Sequence, residues 1–158
     1  MPELTHFDDQ GASRMVDTSA KPETLREARA SAIVRMRAET LALIRNRAAA
    51  KGDVLEVARI AGISAAKRTG DLIPLCHPLP ITAASVDFSY LSDAQLRIDT
   101  QVRVYGRTGV EMEALTAAAV AALTVYDMCK SVDRGMAIES IQLEEKSGGR
   151  SGRFQRGD

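Results

Sequence analysis

The amino-acid sequence predicts an α+β fold: an antiparallel sheet with helices on one face, on a ferredoxin-like split βαβ plan with one extra helix. Three observations point there. Residues 96–105 alternate, with Leu96, Ile98, Thr100, Val102 and Val104 facing one way and Arg97, Asp99, Gln101 and Arg103 the other, as in a half-buried strand. Residues 110–131 form a long run rich in Ala, Leu, Met and Glu, all good helix formers. The elements follow the order β-α-α-β-β-α-β.

Taken in order, residues 24–36 are ambiguous. Ala, Arg and Glu favour helix, yet Ala28, Ala30, Ala32, Val34 and Met36 alternate with Arg29, Ser31, Ile33 and Arg35, and a strand is expected. Residues 38–49 read as a helix with Leu41, Ile44 and Ala48 on one face. Asp53 is suited to cap a second helix over 54–69, in which Gly62 lowers the helix propensity. Pro74, Pro78 and Pro80 then impose an extended loop, because each restricts its own residue and the one before. Residues 81–90 and 96–105 are two strands joined by the turn Ser92-Asp93-Ala94. The long helix follows, and a last strand over 136–145 is anchored by Ile138 and Ile141. Polar residues 1–14 and the glycine-rich stretch 146–158 read as mobile tails on a single domain, 1–158, with an ordered core of about 15–147.

Bulk properties exclude several classes. A chain of 158 residues suits one domain. Its 45% hydrophobic content argues against disorder, and 4% aromatics with no Trp leave the core to aliphatic side chains and Met. Lys plus Arg equals Asp plus Glu at 21, so the basic excess of a nucleic-acid binder is missing. Scarce aromatics also argue against an RNA-binding module, which stacks bases on such rings. Cys76 and Cys129 are too few for a disulfide scaffold and read as reduced thiols. The apolar stretch 114–126 is shorter than the ~20 residues that span a bilayer. A cytoplasmic protein bound to neither membrane nor nucleic acid is expected.

Three stretches carry chemistry. Asp71 to Pro78 places Leu75, Cys76 and His77 in a proline-stiffened loop, and a preformed loop loses less entropy on binding. Two His and two Cys without paired spacing argue against a zinc site. Gly106 to Glu113 is a glycine-flanked turn that opens the long helix and puts Glu111, Met112 and Glu113 in its first turn; acidic side chains are also what any helix N-terminus favours. At the far end, Asp127 and Lys130 are three apart on one face, as a helix salt bridge or an acid–base pair. Glu113 and Asp127 face within about 40° of each other but lie about 21 Å apart along the axis. They therefore touch opposite ends of a long ligand or complete a site from two subunits. A helix apolar on nearly every face favours the second, and an oligomer is expected. Lys51-Gly52-Asp53 and Lys146-Ser147-Gly148-Gly149 put lysines on glycine-bearing loops, a phosphate-binding arrangement without the P-loop pattern.

Leu4-Thr5-His6, Met15-Val16-Asp17, Lys51-Gly52-Asp53, Ala58 to Ile63, Ala65 to Thr69, Asp71 to Pro78, Thr108 to Thr116, Tyr126 to Lys130 and Lys146 to Gly149 stand together in this order. The chain thereby resembles the MoaC family of cyclic pyranopterin monophosphate synthases over about residues 4–154. The resemblance implies a lyase of molybdenum-cofactor biosynthesis. Such an enzyme converts 3′,8-cyclo-7,8-dihydro-GTP to cyclic pyranopterin monophosphate and releases pyrophosphate by general acid–base catalysis. It places Asp127, Lys51 and Lys130 in catalytic positions, and Leu75, Cys76, His77, Glu111, Met112, Glu113 and Lys146 in substrate contact, with Arg26 and Lys67 as outlying candidates. It implies no resident metal or required cofactor, with magnesium arriving on the triphosphate if at all. It further implies a homohexamer, a trimer of dimers with sites between subunits. A nucleotide-binding regulator without catalysis, on the same fold, is the alternative, and the intact Asp127, Lys130 and Lys51 set argues against it.

Overall fold

The computed structural model describes residues 4–49 and 52–157. Among these residues five strands and four helices follow one another in the order β1 (Thr24–Arg35), α1 (Ala38–Arg45), α2 (Val54–Lys67), α3 (Thr69–Leu72), β2 (Ala83–Ser92), β3 (Gln95–Gly106), α4 (Glu111–Cys129), β4 (Ala137–Ser147) and β5 (Phe154–Gln155). The sheet is antiparallel throughout, in the order β2-β3-β1-β4-β5. One strand therefore separates the two that each helical connection joins: β3 stands between β1 and β2, and β1 between β3 and β4. The expected α+β class holds.

The ambiguous segment is a strand because both neighbours accept its ladder. Ala28, Ala30, Ala32 and Val34 are buried on one face, opposite Val102, Thr100, Ile98 and Leu96 of β3. Against this face lies α4, with Ala114, Ala117, Ala118, Ala121, Ala122 and Val125 buried. Alanine on both sides lets the helix approach the sheet closely, while Leu41, Leu96 and Ile98 supply core bulk. By length and composition α4 could cross a bilayer. In the fold it is a core helix, with one outward stripe that includes Met112 and Leu123. The sequence-based expectation of burial on every side is thus met on all but that stripe within one chain.

Boundaries shift where local chemistry intervenes. The first helix stops at Arg45 rather than 49 because Arg47 takes a left-handed backbone, φ 54°, which ends the helix. Its start is tied down from far along the chain, since the buried Asp133 carboxylate accepts from Arg37 N–H and Thr40 Oγ1, both at 2.9 Å. Asp53 caps α2 as expected, accepting from Glu56 N–H at 3.2 Å. That helix ends at Lys67, and the turn α3 stands apart from it. Asp93-Ala94 joins β2 to β3 without positive φ, and the register slips between Tyr90 and Ser92. Along β4 two register shifts break the alternation, leaving Ile138 and Leu143 against the core and Ile141 exposed, so Ile141 is not the anchor expected. The chain before β1 folds back on itself. Arg14 N–H bonds His6 O at 2.8 Å, Asp8 N–H bonds Ala12 O at 2.9 Å, and Phe7 bridges Ser13.

Candidate functional site

The turn between β3 and α4 is the hub of the site. Gly109 lies where the Glu111 carboxylate folds back, and a Cβ there would stand on that carboxylate. Glu111 so placed pairs with Lys146 of β4 at 3.4 Å. Gly148 and Gly149 follow β4 with φ of 90° and 81°, a backbone that other residues rarely adopt. They wrap Arg26 so closely that added Cβ atoms would meet the Leu25 carbonyl and the Arg26 guanidinium. Arg26 is thereby buried, with Nε donating to Gly106 O at 2.9 Å.

Two adjoining hollows flank this hub. One, of about 280 Å³, is lined by Leu75, Cys76 and His77 of the proline loop, by Glu111, Met112 and Glu113, and by Thr5, His6, Val16, Thr18 and Lys21 of the segment before β1. The other, of about 570 Å³, is lined by Arg26, Lys146 and Arg150, with Lys21, Pro22, Thr24, Thr108, Gly109, Glu111, Gly149 and Ser151. Lys21, Thr108, Gly109 and Glu111 belong to both.

The electrostatics differ between the two acidic residues. Glu111 has its lysine. Glu113 is only 3% exposed and has no ion pair among the described residues. Burial, reinforced by the charge of Glu111 and opposed by its own backbone N–H, pushes its carboxyl up to about 7. Burial, with help from Glu113, likewise raises the Cys76 thiol, so at neutral pH Cys76 is a thiol and not a thiolate nucleophile. The hollow beside Cys76 can thus offer donors as well as acceptors to a heterocycle.

Seven of the residues singled out by sequence converge here: Leu75, Cys76, His77, Glu111, Met112, Glu113 and Lys146, joined by Arg26. Asp127 and Lys130 do not. They stand at the other end of α4, 2.9 Å from each other, with side chains 60% and 51% exposed. The hydrogen bond from Lys130 to Asp127, and then their attraction, raises the lysine. Lys67 is exposed and lines neither hollow. Lys51 lies outside the described residues. Sequence reasoning assigned no binding role to Lys21, Thr24 or Thr108. Lys21 and Thr24 stand just before and at the start of β1, and their distance along the chain from the proline loop concealed their place at the site. Among the described residues no three His, Cys, Asp or Glu side chains form a metal-binding group.

Comparisons with known proteins give the family. The sequence model of the MoaC family matches residues 15–149, most of the chain and all of the hub. Cyclic pyranopterin monophosphate synthase of Thermomicrobium roseum is 62% identical over 159 residues, covering 100% of this chain and 96% of its own length. Cyclic pyranopterin monophosphate synthase 1 of Mycobacterium tuberculosis is 61% identical over 153 residues, covering 97% and 90%. Cyclic pyranopterin monophosphate synthase of Desulfitobacterium hafniense is 58% identical over 156 residues, covering 99% and 96%. The chain belongs to the MoaC family.

Proposed function

We propose that this chain is a cyclic pyranopterin monophosphate synthase, a lyase of molybdenum-cofactor biosynthesis, acting on 3′,8-cyclo-7,8-dihydro-GTP at a site shared by two copies. The observation that carries the reading is the junction of a carboxyl-lined hollow with a cation-rich cleft. It occurs in a chain 62% identical over its full length to a synthase so named. The base-derived half of the substrate fits beside Cys76, His77 and Glu113, which offer hydrogen bonds in an enclosed space. The phosphates fit between Arg26 and Lys146. Asp127 and Lys130 serve proton transfer, together with Lys51, and reach this place from a neighbouring copy. The distance along α4, about 21 Å between Glu113 and Asp127, supports that division. A trimer of dimers is the assembly that fits it.

Charge stabilisation comes from lysine and arginine, and magnesium enters only with the triphosphate. Chelation of the purified enzyme before assay should leave turnover intact. The reaction belongs to the cytoplasm, where thiols such as Cys76 stay reduced. The deciding experiment supplies purified protein with 3′,8-cyclo-7,8-dihydro-GTP and follows pyrophosphate and the pterin together. Equal release of both is the expected result. Tight binding without release would instead mark a nucleotide-binding regulator.

A further inference from the structure

Among the described residues Lys21 is the only cation that lines both hollows, and it comes from neither a strand nor a helix but from the segment leading into β1. Its side chain is exposed and has no hydrogen bond or ion pair among the described residues. Among the described residues of the larger cleft, Lys21, Arg26, Lys146 and Arg150 face a single carboxylate, Glu111, so positive charge outweighs negative there although the chain as a whole is neutral. The wall of that cleft also holds Thr24, whose Oγ1 is buried and without a partner, a donor awaiting an acceptor. Surplus cations with an unused hydroxyl donor suit a polyphosphate oxygen.

We propose that Lys21 is a substrate-positioning residue that holds the phosphate chain where the two hollows meet, beside the bond that breaks. The inference rests on the synthase reading. In that reaction a substrate hydroxyl oxygen bonds to the α-phosphorus while the bond from that phosphorus to the α,β-bridging oxygen breaks. The bonding pair leaves with pyrophosphate, and the hydroxyl proton passes to a base. The α-phosphate stays with the pterin half and the β- and γ-phosphates leave. The break therefore falls between the hollow that holds the ring system and the cleft that holds the cations, which is where Lys21 stands. An ammonium there neutralises the charge that grows on the leaving pyrophosphate.

Lys21→Ala and Lys21→Arg test this in the intact assembly. Loss of the cation should lower kcat/KM by about a hundredfold, mostly in kcat. It should also weaken inhibition by added pyrophosphate by about tenfold. Lys21→Arg should restore most of both. Inhibition by pyrophosphate is a readout that a merely structural role would leave unmoved. Turnover and pyrophosphate inhibition both within twofold of the parent in Lys21→Ala would overturn the proposal while leaving the synthase reading in place. If the parent protein releases no pyrophosphate from substrate, the synthase reading fails instead. Calorimetry with pyrophosphate alone then decides for Lys21, with weaker binding to Lys21→Ala supporting its role and equal binding overturning it.

Discussion

A carboxyl with 3% exposure and no ion pair among the described residues costs stability whenever it ionises, and Glu113 is such a group. Its ordinary value of 4.5 rises to about 7 in the fold. Between those values the native state keeps a proton that the unfolded chain has lost, so stability falls as pH rises through this window and levels off above it. At about 1.4 kcal/mol per pH unit, the loss is on the order of 3 kcal/mol. Glu113→Gln removes the titration. Urea unfolding at one protomer concentration should show parent and variant alike at pH 5 and the variant more stable at pH 8. Equal pH slopes would mean that Glu113 is solvated. The same burial explains the Cys76 thiol, and the pair gives the enclosed hollow a mixed donor and acceptor character that two bare anions would lack.

Among the elements, α2 and α4 meet at a glycine. A Cβ on Gly62 would stand 2.9 Å from Val86 Cγ2 and 3.1 Å from the Ala117 carbonyl oxygen. Helix propensity alone favours Gly62→Ala by about 1 kcal/mol. The crossing opposes it, because the Ala117 backbone cannot move without shifting α4 on the sheet. A net loss of roughly 1–3 kcal/mol is expected, checked by chemical denaturation. A stabilised variant would show that α4 gives way there. The start of α1 depends on Asp133, a residue 96 positions from Arg37 that accepts from both its backbone and Thr40. Those bonds, the Arg37 N–H first, hold the Asp133 carboxyl below its usual range. Its contribution is therefore complete above pH ~4 and lost as pH falls through the lowered value. Asp133→Ala should cost about 2–4 kcal/mol at pH 7. The deficit should shrink in acid, which melting curves at pH 7 and pH 3 can follow.

At the scale of the whole molecule, α4 is the spacer between two chemical ends. Its N-terminus puts Glu111 and Glu113 at the hub, and its last turn puts Asp127 and Lys130 in the open. Asp127→Asn should leave the assembly intact by light scattering and abolish most turnover; a near-normal rate would remove Asp127 from catalysis. If sites are shared, subunits of Asp127→Asn refolded together with subunits of an inactive Glu113→Ala variant should regain roughly a quarter of parental activity. This follows because half of randomly formed dimers are mixed and each mixed dimer holds one intact site. No recovery would confine the site to single chains.

The sequence by itself determined the periods of burial. Two-residue alternation in β3 and the long apolar run of α4 both survive in the fold, because each is set by local backbone geometry and a buried face. It also determined the family, through short motifs whose order no single-residue argument could supply, and with it most of the residues around the hub. Only the tertiary structure decided the rest. Whether residues 24–35 were helix or strand depended on two neighbours willing to pair with them. The end of α1 depended on one left-handed residue, and the helix's start on a carboxylate from the far side of the chain. The place of Lys21 and Thr24 at the site came from a fold that lays the start of β1 and the segment before it beside the proline loop and the glycine pair after β4. Side-chain periodicity reports on an element's own faces. Which distant segments close a cleft is settled by packing, and packing is written in no single stretch of the chain.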